Sequence, residues 1–288
     1  MTLLPPPWER AIDYVGNRTA GPPLDPSLDV TIHFHPDALV KGIALLDFLA
    51  ADGLYRSQFE TGTGNGGLTA WPGGDRWRWE HDMFGGAYDD APPSQRPKYG
   101  SLNYRRRDVG GAVRFGSSHL RLRRAEYPRV TYCFPDSSTE PEHFGTMERM
   151  PLVALASEHA RWSGQDVLDD HIEAHVHGPL VVGSHIAALV LDPAYRNTDI
   201  EAAAHTLPCA LEWHAGFRLS AAELGEHASY RGEDIVSAGQ SIAENGWLDA
   251  RIIGDAVREE RFDRQTLKKV WHCVARYGYD WSADRRSG

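Results

Sequence analysis

Hydrophobic and polar residues alternate from Leu28 to His35: Val30, Ile32 and Phe34 share one side, and Thr31, His33 and His35 share the other. That is the period of a half-buried strand. A short helix is expected before it, near Trp8 to Val15. Beyond Pro36-Asp37, Leu39, Ile43, Leu46 and Leu49 recur at helical spacing until Gly53 stops the helix. Leu54 to Thr61 reads as a second strand entering the turn Gly62-Thr63-Gly64-Asn65-Gly66-Gly67. The block from Trp71 to Pro97, dense in Gly, Pro and aromatic residues, reads as an ordered loop region holding a helix from Asp75 to Met83.

Three strands are predicted next, at Lys98 to Tyr104, Ser117 to Arg123 and Arg129 to Phe134, with a hairpin-like Gly110-Gly111 between the first two. A helix from Glu142 to Trp162, an extended stretch within Asp166 to Gly178 and the apolar run Ile186 to Leu191 follow. Beyond Phe217 the period becomes helical, with segments at Glu233 to Glu244, Leu248 to Glu259 and Asp263 to Tyr277. The expected class is α+β, a mixed or antiparallel sheet over residues 1–219 with a helical C-terminal extension, 220–288, packed on it.

Composition narrows the function. A hydrophobic fraction of 41% and 28 Gly with 18 Pro fit a folded, turn-rich chain. The net charge of -10 argues against a broad nucleic-acid surface, although Arg105, Arg106, Arg107, Arg114, Arg121, Arg123 and Arg124 allow a local anion site. Cys133, Cys209 and Cys273 are too scattered for a disulfide framework or metal knuckle, which points to a reducing compartment. Met1-Thr2-Leu3-Leu4 followed by three prolines lacks the pattern of a secretory signal, and no stretch is apolar enough to span a membrane. A cytoplasmic location is expected, unless a dedicated export machine delivers the chain as an effector.

The segment Asp170-His171-Ile172-Glu173-Ala174-His175-Val176-His177-Gly178 is the richest in chemistry. As a strand it puts Ile172, Ala174 and Val176 into the core and His171, Glu173, His175 and His177 in a polar row. Such a row suits proton handling, metal ligation or ligand binding, and equally a hydrogen-bonded structural row. His33 and His35 repeat the i, i+2 spacing and would converge with His175 and His177 if the strands were adjacent. The turn after Ser57-Gln58-Phe59-Glu60-Thr61 could cradle an anion on backbone NH groups or be only a tight turn. His119 and Trp213-His214 are isolated and read as structural. Trp271, Val274 and Tyr277 read as helix core contacts.

The phrases Ile32-His33-Phe34-His35-Pro36-Asp37, Tyr55-Arg56-Ser57-Gln58-Phe59-Glu60-Thr61-Gly62, Arg78-Trp79-Glu80, Phe84-Gly85-Gly86-Ala87-Tyr88, Arg96-Pro97-Lys98-Tyr99-Gly100-Ser101-Leu102-Asn103 and Ile172-Glu173-Ala174-His175-Val176-His177-Gly178 resemble an uncharacterised bacterial domain family over roughly residues 28 to 275. That family in turn looks like a distant relative of the mono-ADP-ribosyltransferases. The resemblance implies that NAD is the substrate. It gives Glu173 the catalytic role, with His35 or His33 on the first core strand and Thr61 and Thr63 as the hydroxyl motif. His175 would assist, Gln58 would lie in the cofactor site, and Tyr99 or Phe59 would stack on nicotinamide. His171 stands where many relatives carry Glu or Gln, so the acceptor, macromolecule or water, is unreadable. Two other readings stay open: a metal-dependent hydrolase using His33, His35, His175 and His177, and a non-catalytic binding protein.

Overall fold

The computed structural model describes residues 4–63, 68–162 and 164–282. Eight strands form one sheet: β1 (Val30–Phe34), β4 (Lys98–Leu102), β5 (Ser118–Leu122), β6 (Val130–Phe134), β7 (His143–Thr146), β8 (Ile172–Val176), β9 (Ile186–Leu191) and β10 (Ala210–Trp213). Between β1 and β4 lies a small hairpin of β2 (Leu39–Val40) and β3 (Ile43–Ala44). The order across the main sheet is β10-β9-β5-β1-β4-β8-β6-β7, and every pairing is antiparallel except that of β9 with β10. The architecture is α+β with a mixed, mostly antiparallel sheet, as the alternation predicts.

One face of this sheet is mostly apolar. Val30, Ile32, Leu102, Leu120, Tyr132, Ile172, Ala174 and Val176 pack there against Leu46 and Leu49 of α2 (Leu45–Asp52) and Leu152 and Ala156 of α4 (Leu152–Trp162). Each such aliphatic side chain contributes about 1.5–3 kcal/mol by leaving water. The other face has two separate covers. Over β6, β7 and β8 lie α1 (Pro7–Asn17) and α3 (Asp75–Phe84), bringing Ala11, Val15, Met83 and Phe84 onto Cys133 and Phe144. Toward β1 and β5 lie the C-terminal helices α5 (Glu233–Ile242), α6 (Ala250–Arg258) and α7 (Arg264–Tyr277), together with Val109, Val113, Leu168 and Tyr195. A seam between the covers runs over the middle strands.

Several sequence expectations are corrected. Residues 54–61 are not a strand: Leu54 makes one isolated bridge to Val181, and Gln58–Thr61 is a helical turn. Its start is a capping box, with the Ser57 hydroxyl accepting from the Glu60 NH and the Glu60 carboxylate accepting from the Ser57 NH. Gly62 caps it at positive φ, while Gly64-Asn65-Gly66-Gly67 lies outside the described residues. The helix expected from Leu39 begins only at Leu45, since β2 and β3 take the residues before it. The helix expected from Glu142 to Trp162 starts at Leu152, because edge strand β7 occupies 143–146 and Pro151 separates the two.

Gly110-Gly111 is no hairpin turn, since β1 lies between β4 and β5. Gly110, at φ +88°, instead lies flat on His33 and His119, where any Cβ would collide with both rings. Strands do not end near Ser220. β11 (Arg218–Ser220) pairs with β12 (Trp247–Asp249) and straddles the expected boundary. Among the described residues, no helix is long and apolar enough to cross a membrane.

Candidate active site

On the seam face, in-register residues form straight rows. Thr31 of β1 opposes Ser101 of β4, Ser101 opposes Glu173 of β8, and Glu173 opposes Cys133 of β6. One step along, Tyr99 opposes His175, which opposes Thr131. The row read from the sequence is therefore real, but it is not solvated: His175 and His177 are fully buried and Glu173 is 8% exposed.

A continuous hydrogen-bonded chain explains why these residue types sit there. Tyr88 Oη is 2.6 Å from His177 Nδ1, Thr131 Oγ1 is 2.8 Å from His177 Nε2 and 3.1 Å from His175 Nδ1, and His175 Nε2 is 3.0 Å from Glu173 Oε1. A carboxylate can only accept, so His175 Nε2 carries the proton. The Thr131 hydroxyl has a single proton, so it donates to one of the two rings it touches and accepts from the other. Phe84 packs edge-on to both imidazoles and holds their planes.

Glu173 is kept ionised. Burial would raise its carboxyl, yet the hydrogen bond and charge of His175, the Arg76 guanidinium and the Ser137 hydroxyl outweigh this and bring it to about 2. Arg76 reaches from α3, donates to Ser137 Oγ at 2.9 Å, and lies 4.0 Å over the Tyr99 ring. Cys133 Sγ is 3.8 Å from both Glu173 Oε1 and His175 Nε2. Its thiol is pushed up by burial and by the Glu173 charge, so it is no thiolate nucleophile. Its imidazole contact is with the same nitrogen that serves Glu173, so no relay runs from thiol through ring to carboxylate.

The remaining sequence candidates are dispersed. β1 and β8 are not adjacent: β4 separates them, placing the two histidine pairs about 10 Å apart across the sheet. A metal site of His33, His35, His175 and His177 therefore does not form. His33 is spent on backbone, its Nδ1–H donating to the Gly116 carbonyl at 3.1 Å and Nε2 accepting from the Ala112 NH at 3.2 Å. His35 is half-buried, edge-on to Trp271 at 5.2 Å. Thr61 and Thr63 bond each other at 2.9 Å beside Ser57, and Gln58 lies on the same turn. Phe59 covers Arg96 at 4.0 Å. The Tyr99 hydroxyl donates to Glu80 at 2.8 Å.

Sequence reasoning missed Thr131, Cys133, Arg76, Ser137 and Tyr88. The strand alternation shared by Thr131 and Cys133, and the place of Tyr88 in the phrase Phe84-Gly85-Gly86-Ala87-Tyr88, are the signals that could have found some of them. Among the described residues, Cys133, Glu173 and His175 form a group with metal-ligand atoms all within 4.8 Å of one another.

The chain matches the family described as protein of unknown function (DUF3626) over residues 29–160 and 153–277. It belongs to that family. No curated protein matches it. The family match spans β1 through α7, so the whole sheet, α3 and the C-terminal cover fall within it, while α1 precedes it.

Buried neutral histidines make stability pH-dependent. Burial holds His33 down at about 3 despite its bond to Gly116, and His272 at about 3 under burial and the charges of Arg114, Arg231 and Lys268. The unfolded chain takes up these protons near pH 6.5, so the stabilisation is complete above that value and is lost as pH falls toward 3. Each such histidine contributes up to about 1.4 kcal/mol per pH unit in that window. The fall in urea midpoint from pH 7 to pH 4 is expected to be shallower in His272→Phe than in the wild-type chain, and equal slopes would contradict this assignment.

Proposed function

We propose that the chain is an ADP-ribosyltransferase-like enzyme that cleaves NAD at the nicotinamide–ribose bond and passes ADP-ribose to an acceptor macromolecule or water. The observation that carries this reading is an ionised Glu173 held at the seam at the end of a buried hydrogen-bonded chain. Cleavage breaks the C1′–N bond, nicotinamide leaves as a neutral base, and the ribosyl cation is captured by the acceptor, whose proton goes to solvent. A fixed carboxylate beside the ribose offsets the oxocarbenium charge and accepts a hydrogen bond from a ribose hydroxyl. In this reading His175 positions the carboxylate through its Nε2 hydrogen bond, and Arg76 and Ser137 help to keep it ionised. His33, Thr61 and Thr63 drop out, and Tyr99 supports Arg76 with the ring face expected for nicotinamide.

One observation favours a second reading, a metal-dependent hydrolase. The Cys133 Sγ, Glu173 Oε1 and His175 Nε2 separations of 3.8, 3.8 and 3.0 Å approximate the edges of a tetrahedron whose bonds would be about 2.0–2.3 Å. The Arg76 charge beside Glu173 disfavours a cation there. Purified chain incubated with NAD, with and without chelator, separates the two. Nicotinamide release indifferent to chelation is expected, whereas neither release nor NAD binding would remove the transferase reading. A bound ion lost together with an activity would favour the hydrolase.

A further inference from the structure

We propose that His35, Arg114, Lys268 and His272 form a binding site for a phosphate-bearing anion, best fitted to a diphosphate. The site lies under the C-terminal cover and does not depend on the chemistry assigned to Glu173. Lys268 and His272 are one helical turn apart on α7 and so share a face. Trp271, next to His272, donates its indole NH to the Val113 carbonyl at 2.9 Å, which seats the turn Val113–Phe115, and with it Arg114, on this helix. The same Trp271 meets the His35 ring edge-on, bringing the end of β1 to the cluster.

Several of the donors gathered here have no acceptor among the described residues. His272 is 3% exposed, and neither of its ring nitrogens has a hydrogen-bond partner. Leaving such a group unmet costs about 1–3 kcal/mol, and a native fold rarely retains one without use. His35 and the half-buried Lys268 likewise have no side-chain hydrogen bond or ion pair among the described residues. Arg114 pairs with Asp169, and Arg231 donates to the Tyr230 hydroxyl. The carboxylate nearest His35, that of Asp37, already accepts from the Tyr195 hydroxyl at 2.6 Å.

The charges of Arg114, Arg231 and Lys268 therefore bear on one another and on His272 with no counter-charge on Lys268. Like charges gathered this closely repel one another, and an anion bound among them would relieve that repulsion. Two imidazoles, an ammonium and a guanidinium supply the several directed donors that a diphosphate accepts. His171 links this cluster to the seam, since it feels both Arg114 and Glu173.

The test titrates inorganic pyrophosphate, and separately inorganic phosphate and ADP, into the full chain while the imidazole signals of His35 and His272 are followed by NMR. Saturable shifts of these two signals are expected. Lys268→Ala, a truncation at a half-exposed position, is expected to weaken pyrophosphate about 10- to 100-fold, the worth of one charged hydrogen bond. Glu173→Gln is expected to leave that affinity unchanged. ADP binding more tightly than pyrophosphate would identify a nucleotide-borne diphosphate, and equal affinities would identify the free anion. No saturable shift in the wild-type chain, or an unchanged affinity in Lys268→Ala with an unchanged melting temperature, overturns the site. Because Glu173→Gln is scored on pyrophosphate alone, failure here is separable from failure of the NAD reading.

Discussion

Glu173→Gln is expected to lower nicotinamide release from NAD by about 10²–10³-fold, the range seen when one electrostatic stabiliser of a transition state is removed. The substitution keeps volume and an acceptor oxygen, so His175 Nε2–H still has a partner and the chain from Tyr88 stays satisfied. What it removes is the full negative charge that Arg76 and Ser137 help to hold. The ground state of bound NAD needs that charge little, so the Kd for NAD should change far less than the turnover. Isothermal titration with NAD beside a nicotinamide assay checks the split. Equal turnover in the two proteins would mean that Glu173 is a structural member of the row.

The strands from Lys98 to Phe134 and the row on β8 were legible because alternation on a half-buried strand is written locally. His175 and His177 face one way and Ile172, Ala174 and Val176 the other for reasons contained in five residues. The turn at Gln58–Thr61 was misread as a strand because the Ser57–Glu60 capping box outweighs the β-propensity of its aromatic and threonine neighbours. The role of His33 was not legible at all. Its partners, Ala112 and Gly116, lie about eighty residues away, and only the folded loop brings their backbone to the ring. His272 and Lys268 were hidden for a related reason. Helical spacing showed that one face of α7 is core, but only packing against β1 and the Val113–Phe115 turn leaves those donors without acceptors. Cys133 looked like a lone thiol because its neighbours across the sheet come from β8.

Glu80→Ala is expected to destabilise the fold by about 3–5 kcal/mol, the cost of stranding a buried charge. Glu80 on α3 is fully buried, and Arg96, 3% exposed, donates NH1 to its Oε2 at 2.6 Å. Removing the carboxylate also strips the Tyr99 hydroxyl of its acceptor and, among the described residues, leaves the guanidinium with the Tyr88 carbonyl at 2.9 Å and the Phe59 ring. Against a typical domain stability of about 5–15 kcal/mol, that is a large fraction.

Arg96→Met should behave differently with pH. Burial already pushes the Glu80 carboxyl up to about 7 against the pull of Arg96, and without Arg96 the carboxyl takes up a proton more readily still. A folded pKa above the unfolded value of about 4.5 means that the variant loses stability as pH rises from that value through 7. It should therefore lie closer to wild type at pH 5 than at pH 8. The double variant Glu80→Leu with Arg96→Met, which strands no charge, should recover part of the loss in either single variant. Urea unfolding at the two pH values measures all four proteins. Single variants within about 0.5 kcal/mol of wild type, the ordinary surface range, would show that this pair does not hold α3 over the seam.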